Sequence, residues 1–132
     1  MPPSPPSTVP FWIFFVLTVG LMVTALVTGF LRRRRLHLWV GPLTMVALGV
    51  TIKLTEELMG RYTFPQDVLR THLVFAKAGG LLALPVIVTG IWLWRSEKAR
   101  RWHKVAVWIW LASVLAATGT GLWMFSQGMP RG

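Results

Sequence analysis

From His37 to Glu57 the chain reads HLWVGPLTMVALGVTIKLTEE. A histidine opens the stretch just behind Arg32-Arg33-Arg34-Arg35, and Lys53, Glu56 and Glu57 come near its far end. Between them lie about four turns of apolar and small residues, the character of a membrane span. Ionisable groups inside a span are expensive, so they point by default at a bundle interior, a cavity or a site. The fold and any function are therefore to be read from how many such spans there are and where their ionisable residues fall.

Outward from this stretch the pattern repeats. Apolar runs cover 11–31, 36–58, 68–94 and 102–125, each of spanning length. Of the 132 residues 54% are hydrophobic, in blocks, and the mean hydropathy is +0.57, the composition of a polytopic membrane protein. The expected fold is all-α: an up-down four-helix transmembrane bundle over 11–127. A Pro/Ser-rich tail (1–10) and a short tail (128–132) place both termini outside the cytoplasm. Met1 to Pro10 has no Lys or Arg ahead of the first apolar run, so it lacks the positive region of a signal peptide, and the first helix is expected to stay in the mature protein.

The formal charge of +10 sits largely in Arg32–Arg35 and in the segment 95–104, both short connections between spans. That distribution follows the positive-inside rule, with the basic loops cytoplasmic and against anionic lipid, and argues against nucleic acid as a partner. Cysteine is absent, which excludes disulfides, thiolate ligands, iron–sulfur clusters and covalent haem attachment. Trp39, Trp92, Trp94, Trp102 and Trp123 fall near the expected interfaces, as an aromatic belt does. Gly20, Thr24 and Thr28 form a stripe for close helix approach, Gly41-Pro42 falls in the first turn of the second span, and Asp67 is the expected N-cap of the third.

Three histidines carry the chemistry. His37 and His103 begin spans two and four at the cytoplasmic end, at one depth, on helices that run in the same direction. Two imidazoles so placed suit a bis-histidine haem b, with Arg35, Arg100, Arg101 and Lys104 positioned for its propionates. A histidine beside a basic loop also serves as a plain polar helix end, and that alternative stands. His72 lies about one turn into span three on a face that continues through Phe75, Ala76, Gly79 and Ala83. With Lys53, Glu56, Glu57 and Lys77 it defines a candidate polar site at the outer end, for a metal ion, a quinone or a proton. The competing reading is an ion network joining spans two and three, in which Lys53 pairs with Glu57 and Lys77 with a glutamate. As metal ligands His37, His72 and His103 are the available set. No nicotinamide, flavin, phosphate-loop or nucleophile motif is present, no catalytic residue is assigned, and the balance is against an enzyme acting on its own.

His37, then Thr71-His72-Leu73, then Arg101-Trp102-His103-Lys104 and Thr118-Gly119 form a pattern over about 36–125. It resembles a small four-span bacterial membrane family associated with haem–copper oxidase assembly and, more distantly, the four-helix b-type cytochromes. The first span lacks the histidine of a richer pattern. The resemblance implies haem or copper handling in the bacterial inner membrane, in electron transfer or assembly, with other subunits of a respiratory complex as partners. The alternative from another class is a non-catalytic accessory subunit whose histidines are structural.

Overall fold

The computed structural model describes residues 7–131; the start of the proline- and serine-rich tail, 1–6, and Gly132 lie outside it. The chain forms four helices: α1 (Val9–Phe30), α2 (Arg34–Met59), α3 (Gln66–Arg95) and α4 (Arg100–Ser126). All four are long and apolar enough to cross a membrane, and the all-α, four-span expectation holds. They divide into two compact units, one made by α1 and α2, with residues 130–131 returning to it, and the other by α3 and α4.

In the first unit the chain reverses between α1 and α2 within Leu31–Arg33. The turn is closed by hydrogen bonds from Arg33 N–H to the Thr28 carbonyl (2.9 Å) and from Arg34 N–H to the Arg32 carbonyl (2.9 Å). Arg32 takes a left-handed conformation at φ 55°, which a β-carbon disfavours. Because α2 starts at Arg34, half of the basic run is helical, and Pro42 falls inside the helix rather than in its first turn. The buried positions Val40, Thr44, Ala47, Thr51 and Leu58 recur at three-, four- and seven-residue spacing, one face of α2 laid against α1. Facing them are Thr18 and Thr28 of α1. Gly20 and Thr24, expected in the same stripe as Thr28, are exposed instead, because residues four apart drift around the helix while the contact follows a shorter period.

In the second unit Pro65 precedes α3, so Asp67 lies within the first turn instead of capping it; there its carboxylate still complements the helix dipole. Val68, His72, Gly79 and Val86 are buried along α3, with His72, Gly79 and Val86 at a seven-residue repeat. Trp110, Leu111, Gly121 and Met124 are buried along α4. A β-carbon at Gly79 would meet Val114 Cγ2 at 3.7 Å, so this glycine brings α3 against α4 rather than opening a slot for a flat group. Arg95 to Arg100 turn through a short 3₁₀ segment, Glu97–Ala99, in which Ser96 Oγ accepts from Lys98 N–H at 3.4 Å and Arg100 pairs with Glu97. At the other end of this unit Phe64 packs edge-on against Phe125, ring centroids 5.4 Å apart.

Few large apolar side chains are inside either hairpin, while Trp39, Trp92, Trp94, Trp102 and Trp123 are all exposed, the distribution of a protein whose solvent is lipid. Between lipid-facing helices the apolar effect supplies no net attraction, so close backbone approach and interhelical hydrogen bonds hold each hairpin.

Candidate functional site

Each of the three histidines sits in the same kind of clasp, which we call a histidine clasp. His37, in the first turn of α2, turns its ring onto Thr28-Gly29 at the end of α1. Its Nδ1 lies 2.9 Å from the Ala25 carbonyl oxygen and 3.4 Å from Thr28 Oγ1. His72 of α3 turns onto Thr120-Gly121 of α4, with Nδ1 3.1 Å from the Ala117 carbonyl oxygen and 3.4 Å from Thr120 Oγ1. His103 of α4 turns onto Thr89-Gly90 of α3, with Nδ1 3.1 Å from Thr89 Oγ1.

The components follow from the chemistry of each group. A threonine hydroxyl inside a helix donates back to the carbonyl four residues earlier: Thr28 to Thr24 (2.7 Å), Thr89 to Pro85 (2.6 Å) and Thr120 to Ala116 (2.7 Å). With its proton so used, the hydroxyl faces the imidazole as an acceptor. A carbonyl oxygen can only accept. Nδ1 is therefore the donor in every clasp, which fixes the hydrogen of a neutral ring on Nδ1 and its lone pair on Nε2. The glycine after each threonine gives the ring its place. A β-carbon on Gly29 would come 3.2 Å from His37 Cε1, on Gly121 3.1 Å from His72 Cε1, and on Gly90 3.4 Å from His103 Cε1.

The threonine–glycine pair that receives His72 is thus Thr120-Gly121, not the Thr118-Gly119 of the sequence pattern; a β-carbon on Gly119 would meet nothing within 4 Å. The clasps also expose an internal repeat. Val27-Thr28-Gly29 and Val88-Thr89-Gly90 occupy corresponding places in the two hairpins. Aligning Thr28-Gly29 with Thr89-Gly90 sets His72 against Phe11, and aligning His37 with His103 sets Thr120-Gly121 against Leu54-Thr55, so the first hairpin has neither the histidine nor the threonine–glycine pair of a second clasp at those places. The first hairpin carries a hydroxyl pair instead. Thr18 Oγ1 lies 2.8 Å from Thr51 Oγ1, and since Thr51 donates to the Ala47 carbonyl, Thr18 is the donor between them. The repeated Val-Thr-Gly was the signal that sequence reading passed over.

The remaining expected site residues fall as follows. His72 and His103 share a hairpin but occupy its two ends, seventeen residues apart in register, about 25 Å along the axis, too far apart to share one ligand. His37 and His103 belong to different hairpins. Of the cations expected at haem propionates, Arg35 and Arg101 each precede a histidine by two residues and project about 160° away from it around the helix. Lys104 projects about 100° away from His103, and Arg100, about 60° away, is engaged by Glu97. Lys53, Glu56 and Glu57 are exposed on α2, and Lys53 makes no ion pair with Glu57 among the described residues. Lys77 is exposed and shares a stripe and a groove with Arg70, Leu73 and Val74, so its stem runs toward the helix start as a snorkelling lysine does. Among the described residues of its own hairpin it has no acidic partner. No three His, Asp or Glu side chains among the described residues gather as a metal-binding group. The chain matches no family model, no curated protein and no solved structure.

Proposed function

We propose that this integral membrane protein handles haem b, or a metal ion, through His37, His72 and His103, in electron transfer or assembly beside a respiratory complex of a bacterial inner membrane, with its basic loops in the cytoplasm. The observation that supports this reading is the clasp itself. A histidine that ligates iron nearly always gives its other ring N–H to a carbonyl or carboxylate, which sets the tautomer and makes the ligating nitrogen more basic. Here His37 and His72 do so through Nδ1 to a backbone carbonyl, and His103 does so to a threonine oxygen whose own proton is committed. Nε2 is then the nitrogen chemically fit to ligate, while the threonine and glycine hold the ring in place. Haem, when bound, would supply reversible one-electron chemistry at its iron. The protein's part is to orient each imidazole and to keep its Nδ1 hydrogen engaged.

The test is a reduced-minus-oxidised absorption spectrum of the detergent-purified chain, with metal analysis on the same sample. Near-stoichiometric haem with a reduced α-band that His103→Ala abolishes, the protein remaining in the membrane, is expected. Full haem occupancy in both His37→Ala and His103→Ala would refute the assignment of these ligands. A second reading has its own support: the same clasps fasten one helix to the next, which accounts for the histidines in a non-catalytic accessory subunit. Absence of haem and metal from protein purified under cofactor-retaining conditions selects it.

A further inference from the structure

The cations that project away from His103 form a groove of their own. Its cavity, about 620 Å³, is lined by Glu97, Lys98, Arg100, Arg101, Lys104, Val105 and Trp108. Arg101, Lys104, Val105 and Trp108 stand at three-, four- and seven-residue intervals, one stripe of α4. That stripe lies opposite the face buried against α3, and Val105 (45% exposed) and Trp108 (60% exposed) leave its floor open. The groove is thus cationic at the start of α4 and apolar one turn further along, at Val105 and Trp108. Four cations stand against one carboxylate, and that carboxylate is taken up by Arg100.

We propose that this groove binds an anionic phospholipid, its phosphate held by Arg101 and Lys104 with Lys98 beside them, and its acyl chain laid along Val105 and Trp108. The match is one of charge and depth together. A soluble phosphate would use the cations and ignore the apolar floor, a zwitterionic lipid would use the floor and gain little from the cations, and an anionic lipid uses both. The assignment is independent of the haem reading, since it concerns the outward face of α4 and leaves the clasp untouched.

The experiment is native mass spectrometry of the full-length detergent-solubilised protein, titrated separately with phosphatidylglycerol, phosphatidylcholine and glycerol phosphate. Phosphatidylglycerol is expected to be retained at one copy, with phosphatidylcholine and glycerol phosphate weaker by tenfold or more. Each basic side chain at a membrane surface is worth about fivefold in lipid affinity. R101Q/K104Q should therefore weaken phosphatidylglycerol by roughly 25-fold, whereas R33Q/R34Q, which removes the same charge from the other loop, should change it little. Trp108→Ala should weaken phosphatidylglycerol while leaving the preference over phosphatidylcholine in place. Equal retention of both lipids, or equal losses from the two double variants, would overturn the site. Glycerol phosphate binding as tightly as phosphatidylglycerol would overturn the acyl-chain half of the proposal.

Discussion

Gly121 and Gly119 lie two residues apart on α4 and differ in what surrounds them, so alanine at each isolates the energy of a clasp. At Gly121 the new β-carbon would sit 3.1 Å from His72 Cε1, while at Gly119 it meets nothing within 4 Å. Carbon atoms settle at about 3.5–4.0 Å, so His72 must retreat by roughly 0.4 Å or more. Its Nδ1 bond to the Ala117 carbonyl is already 3.1 Å long, and that retreat carries it to the limit of a hydrogen bond. Interhelical hydrogen bonds in membranes are worth about 0.6 kcal/mol on average and up to about 1.7 kcal/mol. The helix-propensity gain of about 1 kcal/mol for glycine to alanine applies to both variants and cancels. Gly121→Ala is therefore expected to be less stable than Gly119→Ala by about 0.5–1.5 kcal/mol, read from unfolding in mixed micelles of dodecyl sulfate followed by circular dichroism. Equal midpoints for the two variants would refute the view that the glycine exists to seat the ring. In haem-loaded protein the same pair should differ in the reduced spectrum, Gly121→Ala alone being altered if His72 ligates.

The hydroxyl pair of the first hairpin gives a parallel test: a double-mutant cycle of Thr18→Val and Thr51→Val should show a coupling of about 0.5–1.5 kcal/mol, and additive losses would remove the pair from the account. Lys53→Met and Glu57→Leu, whose side chains make no ion pair with each other, should be additive to within about 0.3–0.5 kcal/mol, and a larger coupling would restore the pair expected from their spacing. Arg32→Gly should stabilise the first hairpin by about 0.5–1 kcal/mol through relief of the left-handed backbone, with Arg33→Gly as the control that does not. A loss of stability in Arg32→Gly would show that the arginine side chain matters more than its backbone strain.

The four spans were legible because the cost of an unsatisfied backbone in lipid forces long apolar helices, and such runs are visible in any sequence. Their ends were legible to within about two residues, the usual scatter of helix boundaries. The interior was less so. Gly20, Thr24 and Thr28 look like one stripe at a spacing of four, yet only Thr28 is buried, because a hairpin contact follows the seven-residue period that His72, Gly79 and Val86 show. Lys53 and Glu57 are spaced to pair, but on an exposed face each side chain has a cheaper route to the interface than to the other. All three histidines were singled out by residue type alone. Their partners were not, since Thr28, Thr89 and Thr120 look like ordinary helix-packing residues until a ring nitrogen is placed against them.

The clasps also bear on how the chain is made. Among the described residues, the clasp bonds of His37, His72 and His103 and the Thr18–Thr51 hydroxyl pair described above each join two helices of one hairpin. The first hairpin can therefore form its clasp and its hydroxyl pair once Met59 has been synthesised, before any residue of α3 exists. It can leave the insertion machinery as a pair of helices without waiting for the rest of the chain, and the second hairpin can do the same. A polar side chain that is costly for a single helix to carry into lipid costs less when the helix that receives its hydrogen bond enters with it.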